Sequence, residues 1–176
     1  AQEMEKKHVD LVNSACAGNI ELFERMEGDS SFDINWGDED GDTYLMVASS
    51  RGHAVLVKYL LDRGALADKR NKLGFTALSY AVSRNHVEII RLLLERNADP
   101  NVEAYDKERY PFSLYFAAAK NFPESCELLL KFGANLDAKF KGKTSLQRGT
   151  QKNNTEAIKV LQAADAAAAA AEAAAM

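Results

Sequence analysis

Residues 41–65, GDTYLMVASSRGHAVLVKYLLDRGA, return 33 positions later as residues 74–98, GFTALSYAVSRNHVEIIRLLLERNA. At that single offset Gly41, Thr43, Leu45, Ala48, His53, Leu60, Leu61 and Ala65 recur as Gly74, Thr76, Leu78, Ala81, His86, Leu93, Leu94 and Ala98. A fixed period of this length marks stacked supersecondary units. None of them buries its apolar face alone, so neighbours supply the stability.

Each unit reads as turn, short helix, tight loop and longer helix. In the unit that holds the second stretch, Asn71-Lys72-Leu73-Gly74 has turn chemistry, Thr76 is placed to cap a helix beginning at Ala77, and Asn85-His86 breaks the chain before another helix. That helix, Val87 to Arg96, puts Ile89, Ile90, Leu92, Leu93 and Leu94 on a broad apolar stripe and leaves Glu88, Arg91 and Glu95 mostly to water. It is expected to end at Asn97, where its counterpart has Gly64; both residue types tolerate the left-handed backbone that terminates helices.

These residues resemble ankyrin repeats. They follow a Gly-x-Thr-Pro-Leu-His-x-Ala pattern and carry the Gly-His that precedes the second helix, with Tyr44 and Ala77 at the proline position and Met46 and Ser79 at the histidine position. The resemblance implies an all-α ankyrin-repeat solenoid of stacked helix-turn-helix units with β-hairpin-like turns. About five repeats are expected over residues 8–162, bounded 8–36, 37–69, 70–102, 103–138 and 139–162, within a repeat domain of residues 1–162. Leu11 to Met26 fits an N-terminal capping unit. Ser113-Leu114-Tyr115-Phe116-Ala117 and Leu128-Leu129-Leu130 repeat the pattern at an offset of 36, which places an insertion between Glu103 and Tyr110. Thr144-Ser145-Leu146 and Glu156-Ala157-Ile158 mark a polar-faced closing unit, as solenoid ends require. Residues 163–176 form an Ala-rich tail that favours helix but offers no apolar stripe to dock. Such a composition also arises when the side chains of a helix go unassigned, and no function is read from it.

At 176 residues, 47% apolar and 27% charged, the chain has a globular composition. Cys16 and Cys126 lie 110 residues apart in apolar helical contexts, about three layers of roughly 10 Å along a stack. A disulfide spans no more than about 7 Å between Cα atoms, so two reduced, buried thiols and a reducing compartment, cytoplasm or nucleus, are expected. No apolar run approaches the length of a membrane span, and no secretory signal is visible. The net charge of −4 conceals a split: residues 1–68 carry −8 and residues 69–176 carry +4. Such asymmetry bears on steering and partner choice rather than on fold.

Catalysis needs a convergent constellation, and no Cys-x-x-Cys, His-Glu-x-x-His, Gly-x-Ser-x-Gly or P-loop occurs. His53 and His86 occupy equivalent positions beside inter-helix loops, where hydrogen bonding within the turn is the expected role. The acidic turn Asp38-Glu39-Asp40-Gly41-Asp42 has the oxygens for calcium but the wrong spacing, since a loop with Gly41 sixth would call on Trp36 and Val47 as ligands. No metal, no cofactor and no enzyme activity are therefore expected. Lys139, Lys141, Lys143, Arg148 and Lys152 cluster with Phe140, but a sequence pI near 5.5 disfavours nucleic acid as the partner.

The resemblance implies a protein-interaction module, such as an adaptor, scaffold or inhibitor, gripping a polypeptide on a concave face formed by turn tips and first helices. Binding of nucleic acid or a small ligand on the same face is the alternative, as is a regulatory fragment of a larger enzyme or channel. Carried over position by position, the family's contact residues fall on Glu39, Asp40, Asp42, Ser50 and Arg51, then on Lys72, Leu73, Phe75, Ser83 and Arg84. In the fourth repeat they are Glu108, Arg109, Pro111, Ala119 and Lys120; in the fifth, Phe140, Lys141, Lys143, Gln151 and Lys152. Aromatic and arginine side chains concentrate binding energy. Phe75, Tyr105, Tyr110 and Phe140 are accordingly expected at the binding face, in a fourth hairpin reshaped by Tyr110 at a glycine position. Trp36 is either such an anchor or packing for the acidic turn. Tyr80, Phe116, Phe122 and Phe132 read as core. The charge split favours a bipolar or mildly acidic partner, and a monomeric module is expected. Asn35 and Asn101 resemble the position that asparaginyl hydroxylases modify in this family, although bonding the turn backbone is the default role.

Overall fold

Helices carry the fold, and the side chains picked out by the repeat start and stop them. The computed structural model describes residues 2–176, which form two units, one ending at Ala98 and one spanning Asp99–Met176. No described helix is long and apolar enough to cross a membrane.

The first unit contains α1 (Gln2–Ala17), α2 (Glu21–Met26), α3 (Tyr44–Arg51), α4 (Ala54–Asp62), α5 (Ala77–Ser83) and α6 (Val87–Glu95). Thr43 and Thr76 are capping residues: the Thr43 hydroxyl accepts the Met46 N–H at 3.2 Å, and that of Thr76 accepts the Ser79 N–H at 3.3 Å. The residues at the family's histidine position close the box from the other side, Met46 through its sulfur and Ser79 through its hydroxyl. Helix α3 packs between α1 and α5, while α4 and α6 pack on each other and on α3 and α5 respectively. Leu45, Leu56, Leu60, Leu78, Ile89, Ile90 and Leu93 are among the fully buried aliphatic side chains of this stack. Each contributes about 1.5–3 kcal/mol relative to an exposed position.

Two polar rungs tie adjacent layers. His53 Nε2–H donates to the Cys16 carbonyl at 2.8 Å, and His86 Nε2–H donates to the Ser50 carbonyl at 3.1 Å. The imidazoles lie flat against glycines: a Cβ on Gly18 would stand 2.6 Å from His53 Nδ1, and one on Gly52 2.9 Å from His86 Cε1. Helix α6 stops at Glu95, one residue short of expectation, and Asn97 then adopts φ 62° where Gly64 has φ 90°. Gly41 and Gly74 occupy corresponding left-handed corners of neighbouring turns, φ 82° and 79°, and the Lys72 N–H donates to the Asp40 carbonyl at 2.9 Å.

The second unit contains α7 (Ser113–Lys120), α8 (Pro123–Lys131), a hairpin of β1 (Lys139–Phe140) and β2 (Lys143–Thr144), α9 (Ser145–Lys152) and α10 (Thr155–Ala175). Thr144 and Gln147 form a capping box at α9, whereas Phe112 begins α7 with no side-chain cap. Asn154 stands at the rung position and donates to the Ala118 carbonyl at 2.7 Å. Leu114, Ala117, Leu129, Ala157 and Leu161 form the core, and α10 runs through residue 162 without a break. Asn35 and Asn101 are committed to the turns: Asn35 Oδ1 accepts the Leu66 N–H, and Asn101 Oδ1 accepts the Asn135 N–H, both at 2.8 Å.

Both thiols are free. Burial pushes that of Cys126 up to about 12, with Glu127 adding to it. The expectation of two buried thiols holds only for Cys126; Cys16 is half-buried, because its layer is the first and leaves one flank of α1 open.

Candidate functional site

In the first unit the turn tips are built from side chains that cap their own backbone. Asp38 Oδ1 accepts the Asp40 and Asp42 N–H groups at 3.0 and 2.9 Å, and Asn71 Oδ1 does the same for Leu73 and Phe75. With the backbone satisfied, Glu39, Asp40, Lys72 and Leu73 project into solvent, and Arg51 and Arg84 do so from the ends of their first helices. Leu73 is 45% exposed, an apolar side chain with no core to enter.

Two expectations about this unit need correction, and Trp36, for which two readings stood open, takes one of them. Asp42 is half-buried rather than freely projecting: its carboxylate accepts Asn71 Nδ2–H at 2.7 Å and the Tyr80 hydroxyl at 3.0 Å. Burial, reinforced by Asp42, raises the Tyr80 phenol above its ordinary value and keeps it a donor. Phe75 is not an exposed anchor. It is 7% exposed and stacks on Tyr80 with centroids 5.4 Å apart, because the turn folds back over the first helix. Trp36 packs rather than projects. Its ring lies 4.3 Å from His8, nearly parallel, and 5.6 Å from Tyr44, whose hydroxyl bonds His8 Nδ1 at 2.6 Å. Tyr80 itself is only half-buried, as are Phe116, Phe122 and Phe132, so these four rings line the edges of the core rather than its centre.

The fourth hairpin is reshaped as expected, but Tyr110 is not at its surface. Without glycine's left-handed turn the chain buries the ring to 1% exposure, stacks it on Phe116 at 4.9 Å and lets the hydroxyl donate to Ser113 Oγ at 2.9 Å. That hydroxyl pair occupies the start of α7, where α3, α5 and α9 each have a Thr cap. Tyr105 stays 65% exposed in the insertion.

The second unit brings expected contact residues from three separate stretches to one place. Arg109 and Pro111 from the reshaped hairpin, Lys120 from the end of α7, and Phe140 and Lys141 from the β-hairpin tip line a cleft of about 340 Å³. Phe140 is half-buried and meets Tyr115 edge-on, centroids 5.5 Å apart. Lys141 adopts φ 50° at the tip and pairs with Glu108. Lys120 Nζ hangs 5.6 Å over the Phe116 ring, and Lys141 Nζ lies 5.4 Å over Phe140. Lys152 is exposed but does not line the cleft.

Three cleft residues escaped the sequence reading, Tyr115 among them, which was named only as part of the repeat pattern. Phe116 was expected in the core, yet it forms the floor. Arg148 was noted only as one of several basic residues, yet its guanidinium rests 5.9 Å from the Tyr115 ring. The available signal was helical phase: Arg148 sits one turn before Lys152 on α9, on the side facing α7.

Comparison with known proteins fits this architecture. The sequence model described as "Ankyrin repeats (3 copies)" matches residues 11–104. The chain is similar to the human "Ankyrin repeat and SOCS box protein 10", 47% identical over 102 residues covering 58% of this chain and 21% of that protein. It is similar to the "Ankyrin repeat, SAM and basic leucine zipper domain-containing protein 1" of Dasypus novemcinctus, 32% identical over 134 residues, 74% of this chain and 27% of that protein. A third likeness is the rat "Cortactin-binding protein 2", 35% identical over 68 residues, 39% of this chain and 4% of that protein. The matched part of the chain thus spans about a quarter or less of the length of these relatives.

Proposed function

Because the chain belongs to the ankyrin-repeat family, we propose that it is a non-catalytic module that binds a partner polypeptide through its turn tips and the ends of its first helices. Ankyrin repeats are generally protein–protein interaction modules, and the family is typically non-catalytic. One observation carries the finer reading: Arg109, Lys120, Phe140 and Lys141, which the family pattern puts at contact positions, converge on one cleft. Such a surface is preformed, so a partner binds it without a large ordering cost. The module acts as an adaptor, scaffold or inhibitor in the cytoplasm or nucleus, a placement supported by its unpaired, buried Cys126. The partner carries basic character toward the acidic tip at Glu39 and Asp40 and acidic character toward the cleft of the second unit.

Capture from a cell lysate by the tagged full chain tests this proposal. Proteins should be retained equally with and without nuclease, and Arg109→Glu combined with Lys120→Glu should release them. Retention that nuclease abolishes would instead favour nucleic acid as the ligand.

A further inference from the structure

Resting on that protein-binding reading, we infer that the cleft of the second unit is a receptor for a carboxylate: it seats an Asp or Glu side chain, flanked by an aromatic or large aliphatic residue, from an extended acidic segment of the partner. The unit holds equal numbers of basic and acidic residues, ten of each, so cations gathered at one place are a matter of placement rather than composition. Around the cleft stand Arg109, Lys120, Lys141 and Arg148 against the single carboxylate of Glu108, which is already paired with Lys141. Among the described residues, Arg109, Lys120 and Arg148 form no ion pair.

Arg148 makes the case sharpest. Its Nη1 donates to a neutral acceptor, Gln151 Oε1, at 3.1 Å, an oxygen that Lys143 Nζ also uses at 2.8 Å. Its Nε is buried and has no partner. Two cations sharing one amide oxygen leave the guanidinium half-buried and uncompensated, an arrangement that an incoming anion relieves. A planar guanidinium presents parallel donors matched to a carboxylate. The neighbouring walls are apolar: Phe116, Phe140 and Pro111 offer ring and methylene surface to the residue beside the acid. Lys120 and Lys141, poised over Phe116 and Phe140, rim that surface with charge, so the cleft suits an acid next to a greasy side chain rather than a uniformly charged polymer. Glu108 at the rim weighs against a doubly charged phosphate.

A library of random displayed peptides, panned against the full chain, supplies the probe. Recovered peptides are then measured by fluorescence anisotropy against the wild type, Arg148→Gln, Lys120→Glu and the first-unit pair Lys72→Glu with Arg84→Glu. The peptides should carry Asp or Glu beside an aromatic or large aliphatic residue. Replacing that acid by its amide, or Arg148 by Gln, should each weaken binding about tenfold or more, and the two changes together little further. The peptide substitution probes the same contact without touching the fold. Peptides lacking an acid, full binding by Arg148→Gln, no recovered peptide, or a phosphoserine binding about tenfold tighter than Glu at the acidic position would each overturn the carboxylate assignment. Loss confined to Lys72→Glu with Arg84→Glu would overturn it too, while leaving the protein-binding reading standing. That broader reading fails separately, through nuclease-sensitive capture.

Discussion

Gly52 shows how much a single position is asked to do. Its backbone is left-handed at φ 84°, and the imidazole of His86 occupies the space a side chain would need. Gly52→Ala is therefore expected to cost about 1–3 kcal/mol in urea denaturation, with less than additive loss when combined with His86→Ala. A neutral Gly52→Ala would contradict the interlayer contact. Asp29 makes a prediction in pH. Hydrogen bonds from the Ser31 hydroxyl and N–H, helped by Lys7, hold its carboxyl down at about 2, below its ordinary 3.8. Since the folded value lies below the unfolded one, the stabilisation is complete above pH 3.8 and is lost as pH falls through about 2. Thermal melts across that window should fall steeply for the wild type and less so for Asp29→Asn; parallel profiles would contradict the assignment. At this scale the sequence was legible where a residue repeats. His53 and His86 were readable as structural because they share a register, whereas Phe75 and Asp42 were misread because their fates depend on Tyr80, a ring whose reach no spacing rule reveals.

Elements were the most legible level, since capping is local chemistry. Thr43, Thr76 and Thr144 each start a helix with a reciprocal bond from the third helical residue, and the two central repeats announce those positions plainly. Thr76→Ala is expected to lose about 1–2 kcal/mol of stability, and Thr76→Ser to keep most of it. Equal stability of Thr76→Ala and wild type in urea would show that packing alone positions α5. The fourth repeat was legible only in part. Tyr110 at a glycine position announced a different hairpin, but its inward turn follows from the Ser113 hydroxyl and the Phe116 ring, partners that α7 brings to one side.

For the molecule as a whole, repeat order along the chain decides which loops become tips, and the tips and first helices carry the side chains that no core claims. The second helices, α4, α6 and α8, show the opposite pattern: their apolar stripes are buried, and on the outer faces of α4 and α6 charges pair, as Lys58 with Asp62 and Arg91 with Glu88 do. The proposed binding function at the turns of each unit rests on that division of labour. Hydrogen–deuterium exchange of the full chain, alone and with a partner captured in the presence of nuclease, measures it directly. Protection is expected at residues 38–42, 71–75 and the end of α5, and around the cleft at residues 108–120 and 139–148. Protection concentrated on the outer faces of α4, α6 and α8, with the tips unchanged, would contradict it.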